Sequence, residues 1–365
     1  MDGAVQELAE RIRAAGAAHE RLSIRAGGSK DFYGNAPRGS PLDPRAVRGV
    51  VSYEPTELAL AVRGGTPLAE VEALLAEHRQ MLAFEPPHFG PDATIGGCIA
   101  SGLAGPRRAA AGYAYGGVRD FVLGARLLDG RAQLLSFGGL VMKNVAGYDV
   151  ARLLVGSLGT LGVIVEVSLK VVPRYGAEIT LQFERDERAA LHQLNRWAGQ
   201  PLPISASLWH AHTLLLRLSG SSAAVEAARS GLGGAAPVAT DAERSWAAVR
   251  EHTHEFFAGD APLWRISLPS TAPPLELGST QLIEWGGALR WLRSDAPPAA
   301  IRARAQQLGG HATRFRGGQA AGGTFTPLPP ALLSIHRRLR AQFDPSGIFD
   351  AGRLYEELER ADPAG

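Results

Sequence analysis

Cysteine is nearly missing from this chain. Cys98 is the only one in 365 residues, which excludes an internal disulfide framework and any iron–sulfur cluster ligated by the chain's own thiolates. A reducing compartment fits that usage. Lysine is scarce as well: Lys30, Lys143 and Lys170 stand against thirty-five arginines, a ratio most simply explained by genomic base composition. The formal net charge is only +2, so no nucleic-acid footprint shows. No run of eighteen apolar residues occurs, and no membrane span is expected. The opening stretch, MDGAVQELAERIRAAGAAH, lacks the basic start and apolar centre of a signal peptide. Its Val5, Leu8 and Ile12 fall at helical spacing between charged residues and predict an amphipathic helix. A cytoplasmic location is the expectation.

Familiar catalytic signatures are absent too. The nearest approach to a dinucleotide fingerprint, Gly231 to Ala236, follows a helical pattern and runs into Pro237. The motif needs a strand before it and a helix after it. There is no P-loop and no nucleophile elbow. His210 with His212, and His252 with His254, sit two apart, but no carboxylate or third histidine stands at ligand spacing. Surface or core histidines are the better reading, and no metal is expected.

What the chain does have is glycine, 44 residues of it. Its length predicts two domains, and 45% apolar with 20% charged residues is ordinary globular usage. Residues 21–25 read as a strand, GVVSY and LALAVRGG as two more, and TPLAEVEALLAEHRQ as a helix. Thr66 is expected at its N-cap, Pro67 at its first position, and Leu68, Val71, Leu75 and His78 on its inward face. Residues 86–118 read as a long loop. A β-hairpin about Asp129-Gly130, a short helix from Val150 and a strand closed by Pro173 follow. From about Ala177 the pattern becomes strand, helix, strand, strand, helix, then strands near 263–268 and 281–292, as in a ferredoxin-like α+β unit.

Three glycine loops fall in the first half. RAGGSK, residues 25–30, is either an ordinary tight turn or a nest of backbone N–H groups for a phosphate. DATIGGCIASGLAG offers a second run of small residues, with hydroxyls at Thr94 and Ser101. LLVGSLGTLGVIVEV packs Gly156, Gly159 and Gly162 against an apolar strand, and VMKNVAGYD adds Lys143, Asn144, Tyr148 and Asp149. Together they point to a large dinucleotide lying along backbone.

The ordered set RAGGS, PP, ATIGGCIASG, YGGVRD, KNVAGYD and GSLGTLGVI resembles the PCMH-type FAD-binding domain of the vanillyl-alcohol-oxidase class. Within that class it is most similar to the FAD-binding subunits of bacterial glycolate oxidases. The likeness runs through the first 175 residues, touches LWRISLP and IEWGGALRWL, and resumes in FDPSGIFDAGRL. The resemblance implies an α+β fold: a two-subdomain PCMH-type FAD-binding domain (1–175) with an inserted ferredoxin-like cap domain (177–322), the segment 323–365 returning to the first domain. It implies that Gly27, Gly28, Ser29 and Lys30 hold the FAD pyrophosphate through main-chain N–H groups. Thr94, Ile95, Gly96, Gly97, Ser101 and Gly102 would line the second phosphate and ribityl region, and Gly162, Val163 and Ile164 the adenine or ribose end.

Departures from the class carry information. Many members attach FAD through a histidine in the first glycine loop, where this chain has Ser29 and Lys30, so FAD is expected to be non-covalent. The histidine-rich GDGNLH-type and EHG-type strings of the D-lactate and D-2-hydroxyglutarate dehydrogenases are missing, and with them the usual metal and base. The resemblance therefore implies a subunit of a glycolate oxidase complex, an oxidoreductase acting on a small 2-hydroxy acid. Its implied partners are a paralogous catalytic flavoprotein and an iron–sulfur subunit, with peripheral membrane association through the complex. Two rivals stand beside it. One is a stand-alone 2-hydroxy-acid dehydrogenase gripping its substrate's carboxylate with an arginine such as Arg265 or Arg290. The other is a non-catalytic assembly subunit.

Overall fold

The computed structural model describes residues 2–108, 116–139, 149–236, 239–278, 280–318 and 322–359. The chain begins with α1 (Gly3–Ala18), β1 (Leu22–Ile24), β2 (Ser40–Leu42), β3 (Val50–Glu54) and β4 (Ala59–Arg63). Next come α2 (Leu68–Glu77), β5 (Gln80–Met81), α3 (Ile95–Ser101), β6 (Val122–Leu128) and β7 (Leu134–Gly138). The first lobe closes with α4 (Val150–Leu153), β8 (Val163–Lys170) and β9 (Val172–Pro173).

α1 forms because Val5, Leu8 and Ile12 share one face, and Asp2 caps it by accepting from the Val5 N–H at 3.1 Å. That face covers β1 and β2, a parallel pair. β3, β4, β8, β6 and β7 make an antiparallel sheet in that order. Its inner face packs on α2 and α3 through Leu60, Val62, Val167, Leu75 and Ile99.

Three local expectations are corrected. α2 starts at Leu68, with Pro67 in the cap position, because the Thr66 hydroxyl is taken up by the Gly49 N–H at 2.8 Å. His78 is exposed at the end of α2, edge-on to Tyr53, and not on its inward face. Within 86–118, read as loop, α3 is a two-turn helix that a run of small residues concealed.

The inserted lobe comprises β10 (Ala177–Glu184), α5 (Glu187–Ala198), β11 (Ile204–His210), β12 (Thr213–Gly220), α6 (Ser222–Leu232) and α7 (Ala239–Arg250). It continues with β13 (Leu263–Ser267), β14 (Gln281–Glu284), β15 (Leu289–Arg293), α8 (Pro298–Gln307) and β16 (His311–Arg316). The stretch 281–292, expected as one strand region, is the β14–β15 hairpin about Trp285–Gly287.

Among the described residues, β10-β12-β11-β14-β15-β13-β16 form one antiparallel sheet. It is two ferredoxin-like units side by side. Read from β16, the second half runs β16-β13-β15-β14, the fourth, first, third and second strands of the unit. The first half repeats that order, with Ala235 bridging Gln182 where a fourth strand would lie. The halves join at Leu208↔Glu284 to His210↔Leu282.

After β16 the chain returns to the first lobe through α9 (Pro330–Phe343). Phe349 bridges Leu22 in parallel, and Ile348 and Phe349 are buried beneath α1. The two lobes meet through an apolar seam in which Tyr33 and Leu103 face Leu208, Trp285 and Phe315. A buried ionic latch crosses the same seam. Arg217 of β12 donates to both carboxylate oxygens of Glu85, at 2.8 and 3.1 Å, and Arg107 donates to Glu178 at 2.9 Å.

Candidate functional site

The first glycine loop leaves β1 at Ile24. The Arg25 N–H still donates to Leu42, but the N–H groups of Gly27, Gly28, Ser29 and Lys30 have no protein acceptor among the described residues. Four successive unpaired donors are what a phosphate requires. Both glycines have a physical cause. A Cβ on Gly27 would overlap the Asp92 carbonyl, and Gly28 holds φ +69°. Two arginines shape the loop. Arg25 pairs with Asp31 at 2.6 Å. Arg353, from the C-terminal segment, donates to the carbonyls of Tyr33 at 2.7 Å, Asn35 at 2.5 Å and Asp31 at 3.3 Å.

The Lys30 side chain turns inward, where it donates to the His88 carbonyl at 3.1 Å beside the Phe89 ring. Burial pushes its pKa down.

α3 forms the facing wall. Thr94 caps it, its Oγ1 accepting from the Gly97 N–H at 3.2 Å. Gly96 packs on Gly64: its N–H donates to the Gly64 carbonyl at 2.8 Å, and a Cβ would lie 2.7 Å from that oxygen. Gly97 meets only the Thr94 hydroxyl, at 3.2 Å from a built Cβ, and otherwise faces open space. At the far end Gly162 takes φ +143° and leads into Val163 and Ile164.

These walls enclose one open groove of about 800 Å³. Every residue expected at the cofactor lines it except Ile95 and Gly102. Ile95 is fully buried in the sheet–helix core, and Gly102 ends α3 at φ +64° against Gly156. Both support the wall from behind. Lys143, Asn144 and Tyr148 lie outside the described residues; Asp149 caps α4.

Gly159 of the third loop lines the groove too; sequence reasoning missed Gly64 and Arg353 as lining residues and singled out neither Asp92 nor Leu158 within the loops. The glycine pair after LALAVR was a legible signal for Gly64. Nothing local marks Arg353. Cys98 lies behind the wall, fully buried, and burial pushes its thiol up to about 12.

A smaller pocket of about 290 Å³ sits at the seam, where Phe89 and Leu103 of the first lobe face His252, Arg265, Glu284 and Trp291. His252 is stacked on Phe257 with ring centroids 3.9 Å apart, and its Nδ1 has no partner. Burial, with Arg316 and Arg265 nearby, holds its pKa well below the usual range. Burial raises Glu284 to about 7, although it accepts from the Trp291 indole at 2.7 Å. Arg265 stands over the Trp285 ring at 5.3 Å.

Arg290 is no substrate arginine. It is fully buried and donates to the carbonyls of Ala272 at 2.6 Å and Pro273 at 2.7 Å, with Glu187 3.8 Å away. Among the described residues no group of three or more side chains could hold a metal. The His210 and His254 rings meet edge-on, and each Nδ1 is engaged by backbone.

A family model described as an FAD binding domain matches residues 3–151. The chain is 47% identical to the glycolate oxidase subunit GlcE of Escherichia coli (strain K12), over 97% of this chain and 98% of that one. The chain belongs to the GlcE family of glycolate oxidase subunits. FAD is the cofactor of such a chain, and the groove fits it: free N–H groups lie on one wall and bare glycine on the other.

Likeness elsewhere is narrower. Glycolate oxidase subunit GlcD of Bacillus subtilis (strain 168) is 36% identical over 34% of this chain and 26% of its own. A D-lactate dehydrogenase of Archaeoglobus fulgidus is 42% identical over 27% and 21%. In three dimensions an alkyldihydroxyacetonephosphate synthase aligns with TM-score 0.63 at 15% identity, over 94% of this chain and 74% of that one. That likeness carries the fold alone. The GlcE relationship is full-length, and the α+β PCMH-type architecture agrees with it.

Proposed function

We propose that this chain is the FAD-binding subunit of a glycolate oxidase complex and takes part in the oxidation of glycolate to glyoxylate. The observation that carries the reading is the groove, in which the four unpaired N–H groups of Gly27–Lys30 stand across from the bare face of Gly97. Full-length similarity to a glycolate oxidase subunit names the substrate. Bound FAD supplies the two-electron acceptor. The chain's part is to hold and orient it: N–H groups of the first loop on the pyrophosphate, Thr94, Gly96, Gly97 and Ser101 along the ribityl stretch, Gly162–Ile164 at the nucleoside end. We assign residues 1–175 and 323–365 to the FAD-binding domain and 177–322 to the cap.

FAD is held without a covalent bond. The loop offers Ser29 and Lys30 in place of a histidine, and the nearby Cys98 stays a thiol. The partners are a paralogous catalytic flavoprotein and an iron–sulfur subunit. A single buried cysteine means that any cluster chemistry must be supplied by another chain. The complex would sit in the cytoplasm or at the inner face of the membrane; no helix among the described residues is long and apolar enough to span one.

A second reading, the stand-alone dehydrogenase, is favoured by one observation. The seam pocket brings a guanidinium (Arg265), an unpartnered imidazole nitrogen (His252) and a carboxyl (Glu284) together. Anaerobic mixing of the purified chain with glycolate separates the two. Flavin that bleaches slowly or not at all alone, but is required in the complex, supports the subunit. Rapid, saturable bleaching of the chain alone supports the dehydrogenase.

A further inference from the structure

Residues 85–92 form a strap between the two lobes. On one side the strap supports the first glycine loop, with contacts in opposite chain order. Gly27 lies against the Asp92 carbonyl, where a Cβ could not fit, and Gly90 lies beside Ser29. The Lys30 ammonium donates to the His88 carbonyl at 3.1 Å. Of the four residues whose unpaired N–H groups make the nest, Gly27, Ser29 and Lys30 therefore rest on the strap.

On the other side the strap is held by the inserted lobe. Glu251 follows α7 and accepts, through one carboxylate oxygen, from the His88 N–H at 3.1 Å and the Phe89 N–H at 2.9 Å. Neither N–H has an acceptor outside Glu251 among the described residues. The other oxygen accepts from Arg250 Nε at 2.7 Å, which aims the carboxylate. Phe89 also packs edge-on against His252, ring centroids 5.0 Å apart.

The backbone here needs such support. Phe89 holds φ +54° and Gly90 φ +143°. An aromatic residue rarely enters the left-handed region unless its surroundings keep it there. Charge-assisted bonds from a carboxylate to two successive N–H groups supply that hold. Glu251 does not line the groove, and neither do residues 85–90.

We propose that Glu251 of the inserted lobe is a positioning residue for FAD: by fixing the strap it sets the spacing of the Gly27–Lys30 N–H groups, so the nest keeps its binding geometry only while the lobes are closed. The proposal rests on placing FAD in the groove. It makes cofactor affinity depend on a carboxylate that never touches the cofactor, and coupling of that kind runs both ways.

The test titrates the full-length, flavin-free chain with FAD and follows flavin fluorescence. Glu251→Ala should weaken FAD about tenfold. Glu251→Gln, whose amide keeps an acceptor oxygen for the two N–H groups, should bind within about threefold of wild type. Glu178→Gln weakens a different cross-seam pair, Arg107 with Glu178 at 2.9 Å. It should lower the thermal melt and leave FAD affinity unchanged. A second measurement needs no variant: FAD added to the wild-type chain should slow hydrogen exchange at His88 and Phe89 about tenfold, with no change along β3.

Wild-type affinity in Glu251→Ala overturns the proposal and leaves the subunit reading intact. So does exchange at His88 and Phe89 that FAD does not alter. Equal loss of affinity in Glu178→Gln overturns it as well, since any loosening of the seam would then suffice. A Glu251→Gln variant as weak as Glu251→Ala does the same, because the hydrogen bonds would not be what was lost. Failure of the wild-type chain to bind FAD overturns both the proposal and the placement of FAD on which it rests.

Discussion

Replacing Gly97 with valine separates the groove from the fold. At Gly97 a built Cβ meets only the Thr94 hydroxyl, 3.2 Å away, and the rest of its surroundings are open. Leaving glycine in a helix gains about 0.5–1 kcal/mol. A β-branched residue keeps only part of that gain, and the tight hydroxyl contact uses some more. The variant's stability should therefore stay within about 1 kcal/mol of wild type. The two added methyl groups project into the space across from the Gly27–Lys30 N–H groups. Displacing the cofactor from that approach should weaken FAD binding at least a hundredfold, about 2.7 kcal/mol. The assay is the flavin-to-protein ratio of the purified variant, read beside its thermal melt without added FAD. Gly96→Val is the contrasting control. Its Cβ would lie 2.7 Å from the Gly64 carbonyl, so it should lower the melt as well as the flavin, by about 1–3 kcal/mol of overpacking. A normally folded Gly97→Val protein with a full flavin complement would refute the placement of FAD in this groove.

Four other outcomes follow from the same geometry. Acid precipitation should release all the flavin into the supernatant, and colour left in the pellet would show a covalent bond. Arg353→Ala removes charge-assisted donation to three loop carbonyls, worth roughly 1.5–3 kcal/mol per such bond. FAD affinity measured by flavin fluorescence should drop at least tenfold, and unchanged affinity would mean that the loop holds its shape without the tail. Burial alone would raise Glu85, but Arg217 and Arg107 hold it down to about 2. Its share of stability is therefore present above the unfolded carboxylate pKa and is lost as pH falls from roughly 4.3 toward 2, about 3 kcal/mol in all. Glu85→Gln should flatten that acid limb in denaturant titrations. Glu284 has the opposite sign. Raised to about 7 by burial, it favours the folded state at low pH and costs stability as pH climbs from roughly 4.3 through 7, by up to about 4 kcal/mol. Glu284→Gln should stabilise the protein at pH 8 relative to pH 5, and an unaltered pH profile would show that the carboxyl is ionised in the fold.

The groove was legible because its chemistry is backbone chemistry. Glycines at 27, 28, 96 and 162 stand where the chain turns left-handed or lets backbone approach backbone, and Gly97 leaves the groove wall bare. The reasons for them were not legible. Gly27 answers to the Asp92 carbonyl and Gly96 to Gly64, contacts between loops distant in sequence that periodicity does not report. α3 was hidden because its apolar set, Ile95, Cys98 and Ile99, spans barely one turn and is interspersed with glycine, alanine and serine. The ferredoxin-like pattern was readable in one half of the insert. Its repetition showed only in the sheet, since β13 and β14 are joined by an irregular segment instead of a helix. The arginines divided in a way no single sequence reveals. Arg290 is spent on the carbonyls of Ala272 and Pro273, Arg353 reaches the glycine loop from the far end of the chain, and Arg265 lines the seam pocket.

Anaerobic stopped-flow reduction tests the division of labour most directly. The purified chain, loaded with FAD, is mixed with glycolate first alone and then with its flavoprotein and iron–sulfur subunits. The FAD-binding-subunit account predicts little or no bleaching of the isolated chain and glycolate oxidation by the assembled complex that disappears when this chain is omitted or carries Gly97→Val. Rapid, saturable bleaching of the isolated chain that Arg265→Ala abolishes would contradict it and establish the seam pocket as a complete active site.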